Sequence, residues 1–407
     1  MKTERPWPSL IVTKKGEKAL SEGHPWVYAG EVIACEGCED GELCDIKSEK
    51  GRYLGTGFYN SHSLLRARLI SRNANDLFDE AFWARRVQYA IDYRQTVMGE
   101  DFASCRLIYG EADQFPGLTV DKFEDMLVAE VQCLGIDKLR GVLFPLIKKA
   151  LKERGYPVRG LYERSQGALR AKEGMEERTG FFAFDDAPFP DSAVVTIQEN
   201  GVRYLVDVAE GQKTGFFLDQ KYNRRQVARL AKGKTVLDLF THTGSFGLNC
   251  ALCGALSVHM VDASQEALDM ASANAALNGV GERCSFEKAD ILKWLPAQVE
   301  EKRKYDLVIL DPPAFAKMRR AVKNAEKGYR DINRAGMQLL NRGGYLATAT
   351  CSHFMPRELF EHALHRAARE AGVQLRQVEA RGQAPDHPIL IGVPETEYLK
   401  FYIFQVV

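Results

Sequence analysis

The sequence predicts an α/β protein: a Rossmann-like, doubly wound, mainly parallel sheet in the C-terminal half, preceded by a small β domain and an α+β module. Three observations carry this. From Thr235 onward, short apolar strands ("TVLDLF", "SVHMVDAS", "CSFEKAD", "YDLVILDPP", "GGYLATATCS") alternate with helical stretches, the pattern of a parallel sheet whose ligands lie beyond the carboxyl ends of its strands. Before residue 72 the pattern is different, with short alternating runs ("LCDIKS", "YLGTGFYN", "LLRARLIS") between glycine-rich turns, as in a compact β barrel or sandwich. Finally, 407 residues with 45% hydrophobic content exceed what one core organises, so two or three domains are expected.

Taken in order, residues 1–72 form the β domain. Cys35, Cys38 and Cys44, with His24 or His62, would make a zinc site only if a second close ligand pair existed; none does, so a turn is the preferred reading and no metal is expected. Residues 73–185 form the middle module. Phe78, Phe82, Val87, Ala90 and Ile91 recur at near-helical spacing over 76–98. The strand-like "GLTVDKF" and "MLVAEVQ", the helical "DKLRGVLFPLIKKALKERG" and the strand-like "VRGLYERS" follow. Residues 190–407 form the third domain, opening with "VVTIQENGVRYLVDV", two alternating stretches around Asn200-Gly201 that predict a hairpin. It closes with the strand "LKFYIFQVV".

Charge excludes a globally basic polyanion binder, because Lys plus Arg and Asp plus Glu are both 55; any polyanion partner must be met by local patches. One candidate runs from Lys138 to Lys172, ten basic residues including Lys148 and Lys149 against Glu153 and Glu163, which reads equally as a solvated helix face. A second is "KMRRAVKNAEKGYR" (317–330), with Lys317, Arg319 and Arg320 and six basic residues in all. The stretch "MKTERPWPSL" contains no apolar leader segment, and no run approaches the ~18 apolar residues of a membrane span. A cytoplasmic protein with reduced thiols and no membrane partner is expected.

In a doubly wound sheet the informative residues stand where strands stop. "LDLFTHTGSFG" ends the first strand in Asp238, with Phe240 in the turn and Gly244 and Gly247 before a helix. This is not the G-x-G-x-x-G of a dinucleotide site. The second strand ends at Asp262-Ala263, where a carboxylate can accept both hydroxyls of a ribose. The third ends at Asp290, placed to accept from an adenine amino group. Each acid alone could be a helix cap. Together, a ribose and an adenine site without a diphosphate loop fit S-adenosylmethionine better than other nucleotides. The fourth strand ends "LDPPAF": Pro312 and Pro313 stiffen the chain and remove amide protons, making a wall for a flat base with Asp311 at the cleft.

Cys351 ends the fifth strand, across the cleft from Asp311. A thiolate there can add to C6 of a pyrimidine and make C5 nucleophilic enough to accept a methyl group; a base then removes the C5 proton and the cysteine is eliminated. The competing reading is a small core residue. His353 reads as a surface turn histidine.

At these residues the sequence resembles bacterial class I S-adenosylmethionine-dependent methyltransferases that form 5-methylcytosine in large-subunit (23S) ribosomal RNA. The likeness runs through "GHPWVYAGEV", similar to a PUA domain, and "RLIYGEADQFPGLTVDKF", "KTGFFLDQKYNRR", "DPPAF", "GYRDINRAGMQLLNRGGYLATATCS" and "APDHPILIGVPETEYLK". It implies a class I methyltransferase fold, Cys351 as nucleophile, and Phe217, Asp219 and Gln220 helping to close a cofactor site held by Asp238, Gly244, Asp262 and Asp290. It also implies that the PUA-like domain contributes to RNA binding, although residues 1–72 carry eleven basic and ten acidic residues. "LDPPAF" departs from another branch of RNA cytosine methyltransferases in lacking a second cysteine, so Asp311 or water must take the C5 proton. Two other readings stay open: an exocyclic amino methyltransferase, and a non-catalytic ribosome-assembly factor. Oligomeric state is not legible, a homodimer being one compatible arrangement.

Overall fold

The computed structural model describes residues 5–316 and 318–407. The chain forms two compact units, one of Met1–Ile197, Val206–Leu218 and Pro385–Thr396, the other of Gln198–Leu205, Asp219–Ala384 and Glu397–Val407.

In the first unit, β1 (Ser9–Val12), β2 (Trp26–Tyr28), β3 (Val32–Glu36), β4 (Leu43–Ser48), β5 (Tyr53–Tyr59) and β6 (Leu65–Ser71) form a sheet in the order β2-β6-β5-β4-β1-β3. Helix α1 (Lys14–Ser21) is capped by Thr13, whose side chain accepts from the Gly16 amide. Leu10, Val12, Val27, Ile46, Ala67 and Leu69 fill the core. Helix α2 (Glu80–Met98) starts at the cap Asp79, so Phe78 lies outside the predicted helix. It has φ +57° and packs edge-on against Phe82 with ring centres 4.8 Å apart.

The middle module has the expected strand, strand, helix, strand order in β8 (Leu118–Phe123), β9 (Met126–Val131), α3 (Leu134–Glu153) and β10 (Gly160–Ser165). Two further strands flank them, β7 (Ser104–Tyr109) and β11 (Arg178–Phe181), with α4 (Ala168–Lys172) between β10 and β11; the sheet reads β11-β10-β9-β8-β7. These were not legible for different reasons. β7 is buried on both faces and shows no alternation, and β11 is only four residues long.

The predicted hairpin is β12 (Val194–Glu199) and β13 (Val202–Asp207), turning through Asn200 (φ +54°) and Gly201 (φ +84°). Positive φ at both turn residues is what a two-residue hairpin loop requires and what Asn-Gly tolerates. In the second unit follow α5 (Lys221–Ala228), β14 (Thr235–Leu239), α6 (Ser245–Leu252), β15 (Ser257–Asp262), α7 (Gln265–Leu277), β16 (Cys284–Lys288), α8 (Ile291–Glu300), β17 (Tyr305–Leu310), α9 (Val322–Gln338), β18 (Leu340–Thr350), α10 (Arg357–Ala371), β19 (Leu375–Arg381) and β20 (Lys400–Val406). The sheet order is β16-β15-β14-β17-β18-β20-β19. The first five strands are mutually parallel, and β20 runs antiparallel to both neighbours. One face buries Leu237, Leu239, Val308, Leu310 and Leu346 against Tyr329, Ile332, Phe360 and Leu364. Edge strand β19, "LRQVEAR", is mostly polar and half-exposed, which hid it from the apolar pattern. Inside this unit Arg224 and Glu199, each about 1% exposed, form a two-pronged ion pair at 2.6 and 2.8 Å. Among the described residues no helix is long and apolar enough to cross a membrane.

Candidate active site

Strand order reverses at β14, which has β15 on one side and β17 on the other; open α/β sheets bind ligands beyond the strand ends at such a point. The turn leaving β14 is built on Asp238. Its Oδ2 accepts from Thr241 Oγ1 (2.5 Å) and from the Gly247 amide at the start of α6 (2.8 Å). The framework of the turn itself calls for glycine at 247, because a Cβ there would sit 2.9 Å from Met260 Cε and 3.0 Å from Asp238 Oδ2. Phe240 (φ +60°), His242 (φ +52°) and Gly244 (φ +82°) hold the turn in the left-handed region; for the two non-glycine residues that is strain of the kind stored at functional sites.

Asp238 is 1% exposed, and burial pushes its carboxyl up to about 7. Its Oδ1 and the Thr243 hydroxyl are buried without a hydrogen-bond partner among the described residues. Buried polar atoms are rarely left so, and a polar ligand over this turn would satisfy both. Asp262 braces the same turn, accepting from the His242 amide (2.9 Å) and the Ser264 amide (3.0 Å). The cap of α7 is Ser264, which accepts from the Ala267 amide, so Asp262 is not the helix cap that its position allowed. Each of its oxygens keeps a lone pair for a ribose hydroxyl. Ala263 beside it is exposed. Asp290 does cap its helix, α8, through the Leu292 amide (3.2 Å), and is exposed.

Asp311 follows β17 and accepts from Gln220 Nε2 (3.0 Å). Gln220 is 3% exposed, and its Oε1 accepts from Asn223 Nδ2 (2.6 Å), while Asn223 Oδ1 accepts from Arg381 Nε (3.1 Å). This relay fixes which end of each amide faces its neighbour and so aims Asp311. Asp219 accepts from the Tyr398 hydroxyl (2.5 Å). Phe217 belongs to the first unit, where Lys213 Nζ lies 4.2 Å over its ring. Pro312 is buried and Pro313 exposed; Phe315 lies against Tyr329 with ring centres 4.7 Å apart.

Cys351 follows β18, the hydrogen-bonded parallel neighbour of β17, with Leu310 opposite Thr348. It is half-buried, unlike a core cysteine. The residues around it are tied down: Thr350 Oγ1 donates to the Tyr329 hydroxyl (2.7 Å), and Ser352 Oγ donates to the Ala316 carbonyl (2.7 Å). Burial pushes the Tyr329 hydroxyl up to about 12, so it keeps its proton. His353 is exposed, as expected. Asn223, Tyr329, Tyr398 and Lys400 were not singled out from sequence. All four lie in runs that carry the family likeness, the signal that could have found them.

The basic run at 138–172 is largely consumed internally. Lys138, Arg140, Arg154, Arg159 and Arg170 pair with Glu42, Glu163, Asp92, Asp125 and Asp137. Arg164 donates to the Gly211 carbonyl. Lys148, a candidate RNA contact, is largely buried, paired with Asp186 and 4.3 Å over the Phe184 ring. Lys149, Lys152 and Lys172 make no ion pair among the described residues, and Lys149 is exposed. In the second stretch Arg319 and Arg320 are exposed; Lys317 lies outside the described residues.

Residues 190–404 match the model of an S-adenosylmethionine-dependent methyltransferase family, and residues 10–72 that of a PUA-like domain. The chain is 37% identical over 401 residues to ribosomal RNA large subunit methyltransferase I of Shigella dysenteriae serotype 1, covering 98% of both chains. It is equally similar to the protein of that name from Escherichia coli O139:H28, over 98% and 99% of the two chains. Among solved structures, a chain assigned as an S-adenosylmethionine-dependent methyltransferase from Streptococcus mutans superposes with a TM-score of 0.81 at 21% identity, over 98% of this chain and 100% of that one. A second solved chain, assigned as a methyltransferase and complexed with S-adenosylhomocysteine, gives 0.82 at 21% identity, again over 98% and 100%.

Proposed function

The chain belongs to the ribosomal RNA large subunit methyltransferase I family, and from that premise we propose that it methylates C5 of a cytosine in 23S ribosomal RNA through a covalent Cys351 adduct. The observation that carries the mechanism is the pairing of a half-buried Cys351 with an oriented Asp311 at the ends of neighbouring parallel strands, next to the point where strand order reverses. S-adenosylmethionine, the family's methyl donor, supplies the electrophilic methyl group. Asp262 would accept its ribose hydroxyls and Asp290 its adenine amino group. Asp238 Oδ1 and the Thr243 hydroxyl, without a hydrogen-bond partner among the described residues, would take its remaining polar atoms.

The protein's own part begins with the target base against the Pro312-Pro313 wall. The Cys351 thiolate attacks C6, which breaks the C5–C6 double bond and puts the electron pair on C5. Without this step C5 is too weak a nucleophile to be methylated. After transfer the C5 proton is removed, the double bond re-forms and Cys351 leaves. Asp311, the carboxylate at the end of β17, is the candidate base, directly or through water. Attack at C6 needs a base face that stacking covers, so the substrate is an unpaired or unstacked cytosine, held by the PUA-like domain and by Arg319 and Arg320.

The test is transfer from labelled S-adenosylmethionine to total ribosomal RNA followed by nucleoside analysis, with Cys351→Ala alongside. Label in 5-methylcytidine that falls at least a thousandfold in the variant, with cofactor affinity kept, is the expected result. Label in an N-methylated nucleoside, or an active variant, sinks the C5 mechanism.

A further inference from the structure

Lys400 opens β20 directly opposite Thr350, the residue before Cys351. It is 5% exposed, and lysine is among the residues least often buried unless paired. Among the described residues its ammonium has two acceptors, the Tyr398 carbonyl at 3.3 Å and the Ser352 carbonyl at 3.5 Å. Both are neutral and long. Among the described residues no carboxylate comes within ion-pair distance of it, and Glu397, the nearby acid on its own segment, is held by Arg357 (3.6 Å). A buried ammonium without a counter-ion is costly, and burial accordingly pushes Lys400 below the usual lysine range.

The groups facing this position are few. On the Cys351 side, Tyr329 of α9 lies within electrostatic reach of the thiol, and burial keeps its hydroxyl protonated. From α10 come Arg357 and Glu358, and from the segment before β20 comes Glu397. Asp311 stands at the end of β17, bonded to Gln220, and His353 of Cys351's own segment is exposed. The group that can place a new negative charge here is the Cys351 thiol, bonded through the chain to the Ser352 carbonyl that Lys400 already holds.

We propose that Lys400 is the counter-ion of the Cys351 thiolate, a positioning residue that readies the nucleophile for attack on C6. The role in attack rests on the C5 mechanism above; the ion pair does not. On ionisation the thiol S–H bond breaks and its proton passes to the Lys400 amine, or to solvent where Lys400 already carries its proton. Either route leaves thiolate beside ammonium, and a lysine so placed depresses a cysteine's pKa. In the covalent adduct the sulfur is neutral and the ammonium again lacks a partner, which favours return of the thiolate in the elimination step.

The experiment follows iodoacetamide alkylation of Cys351 in the full-length protein against pH, reading the Cys351 peptide by mass spectrometry with the other cysteines as internal controls. The wild type should react with an inflection below the ordinary thiol value of about 8.5. Lys400→Met should raise that inflection by about one unit, slowing alkylation near neutrality roughly tenfold, while Lys400→Arg stays near wild type. An unchanged inflection in a Lys400→Met protein that melts like wild type overturns the proposal. Should Lys400→Met fail to fold, the ultraviolet difference between wild type and Cys351→Ala reports the thiolate directly, and titration at the ordinary thiol value overturns it equally. Methyl transfer by Cys351→Ala distinguishes the two failures. An active Cys351→Ala with a shifted Lys400→Met profile keeps the ion pair and removes the C5 mechanism; an inactive Cys351→Ala with an unshifted profile does the reverse.

Discussion

Asp238 shows how one residue serves both fold and ligand. One carboxylate oxygen ties the strand-to-helix turn together through Thr241 and Gly247, and the other has no hydrogen-bond partner among the described residues. Because burial raises its carboxyl to about 7 from an unfolded value near 3.9, the folded cofactor-free protein keeps this proton between roughly pH 4 and 7 while the unfolded chain has released it. The native state then binds more protons, so this group's contribution to stability is full below pH 4 and declines as pH rises to 7. Asp238→Asn can still accept from Thr241 and Gly247 but cannot titrate. Its melting temperature relative to wild type should rise from pH 4 to 7, and its affinity for S-adenosylmethionine should fall about tenfold or more. Parallel pH dependences in melting curves of the two proteins would contradict this. The strand-end acids were legible because a parallel sheet delivers its strand termini to one side whatever the details of packing. Which oxygen is spent on the turn, and that Asp290 caps α8 while Ser264 relieves Asp262 of capping α7, depends on angstrom-scale loop geometry that sequence does not encode locally.

The hairpin β12–β13 was legible from Asn-Gly and alternation, but not the pair that ties it to α5. Glu199 and Arg224 are 25 residues apart and both fully buried, and from sequence each looks like an ordinary surface charge. Removing one partner strands the other in the interior at a cost of about 3–5 kcal/mol. Arg224→Met should therefore lower stability by that amount in denaturant titrations, and Glu199→Leu combined with Arg224→Met should recover most of it. Additive losses in the double variant would mean that the two side chains are not energetically coupled and would overturn this account. The same limit explains the basic run on and around α3: composition counts ten charges, whereas only tertiary structure reveals the acids that meet most of them.

For the whole molecule, equal numbers of acidic and basic residues mean that no net charge draws RNA in, so affinity must come from local cations whose charge is not met within the protein. Linear boundaries at 72, 185 and 190 also cannot register that 206–218 and 385–396 pack with the first unit. Asp386, fully buried, accepts from the Arg106 amide (2.8 Å), and its carbonyl accepts from Arg94 (3.0 Å), long-range hydrogen bonds without a local sequence mark. Removing one cation that neutralises a phosphate reduces the slope of log affinity against log salt by about 0.7 for single-stranded RNA. Arg319→Ala with Arg320→Ala should thus flatten the slope by roughly 1.4 while leaving cofactor affinity unchanged, and Lys149→Ala with Lys152→Ala should act similarly if the middle module touches RNA. Lys148→Met is the control, because that charge is already met by Asp186 and the Phe184 ring, and its slope should equal wild type. A slope flattened by Lys148→Met but not by Arg319→Ala with Arg320→Ala would place the RNA on the middle module and withdraw Arg319 and Arg320 from binding.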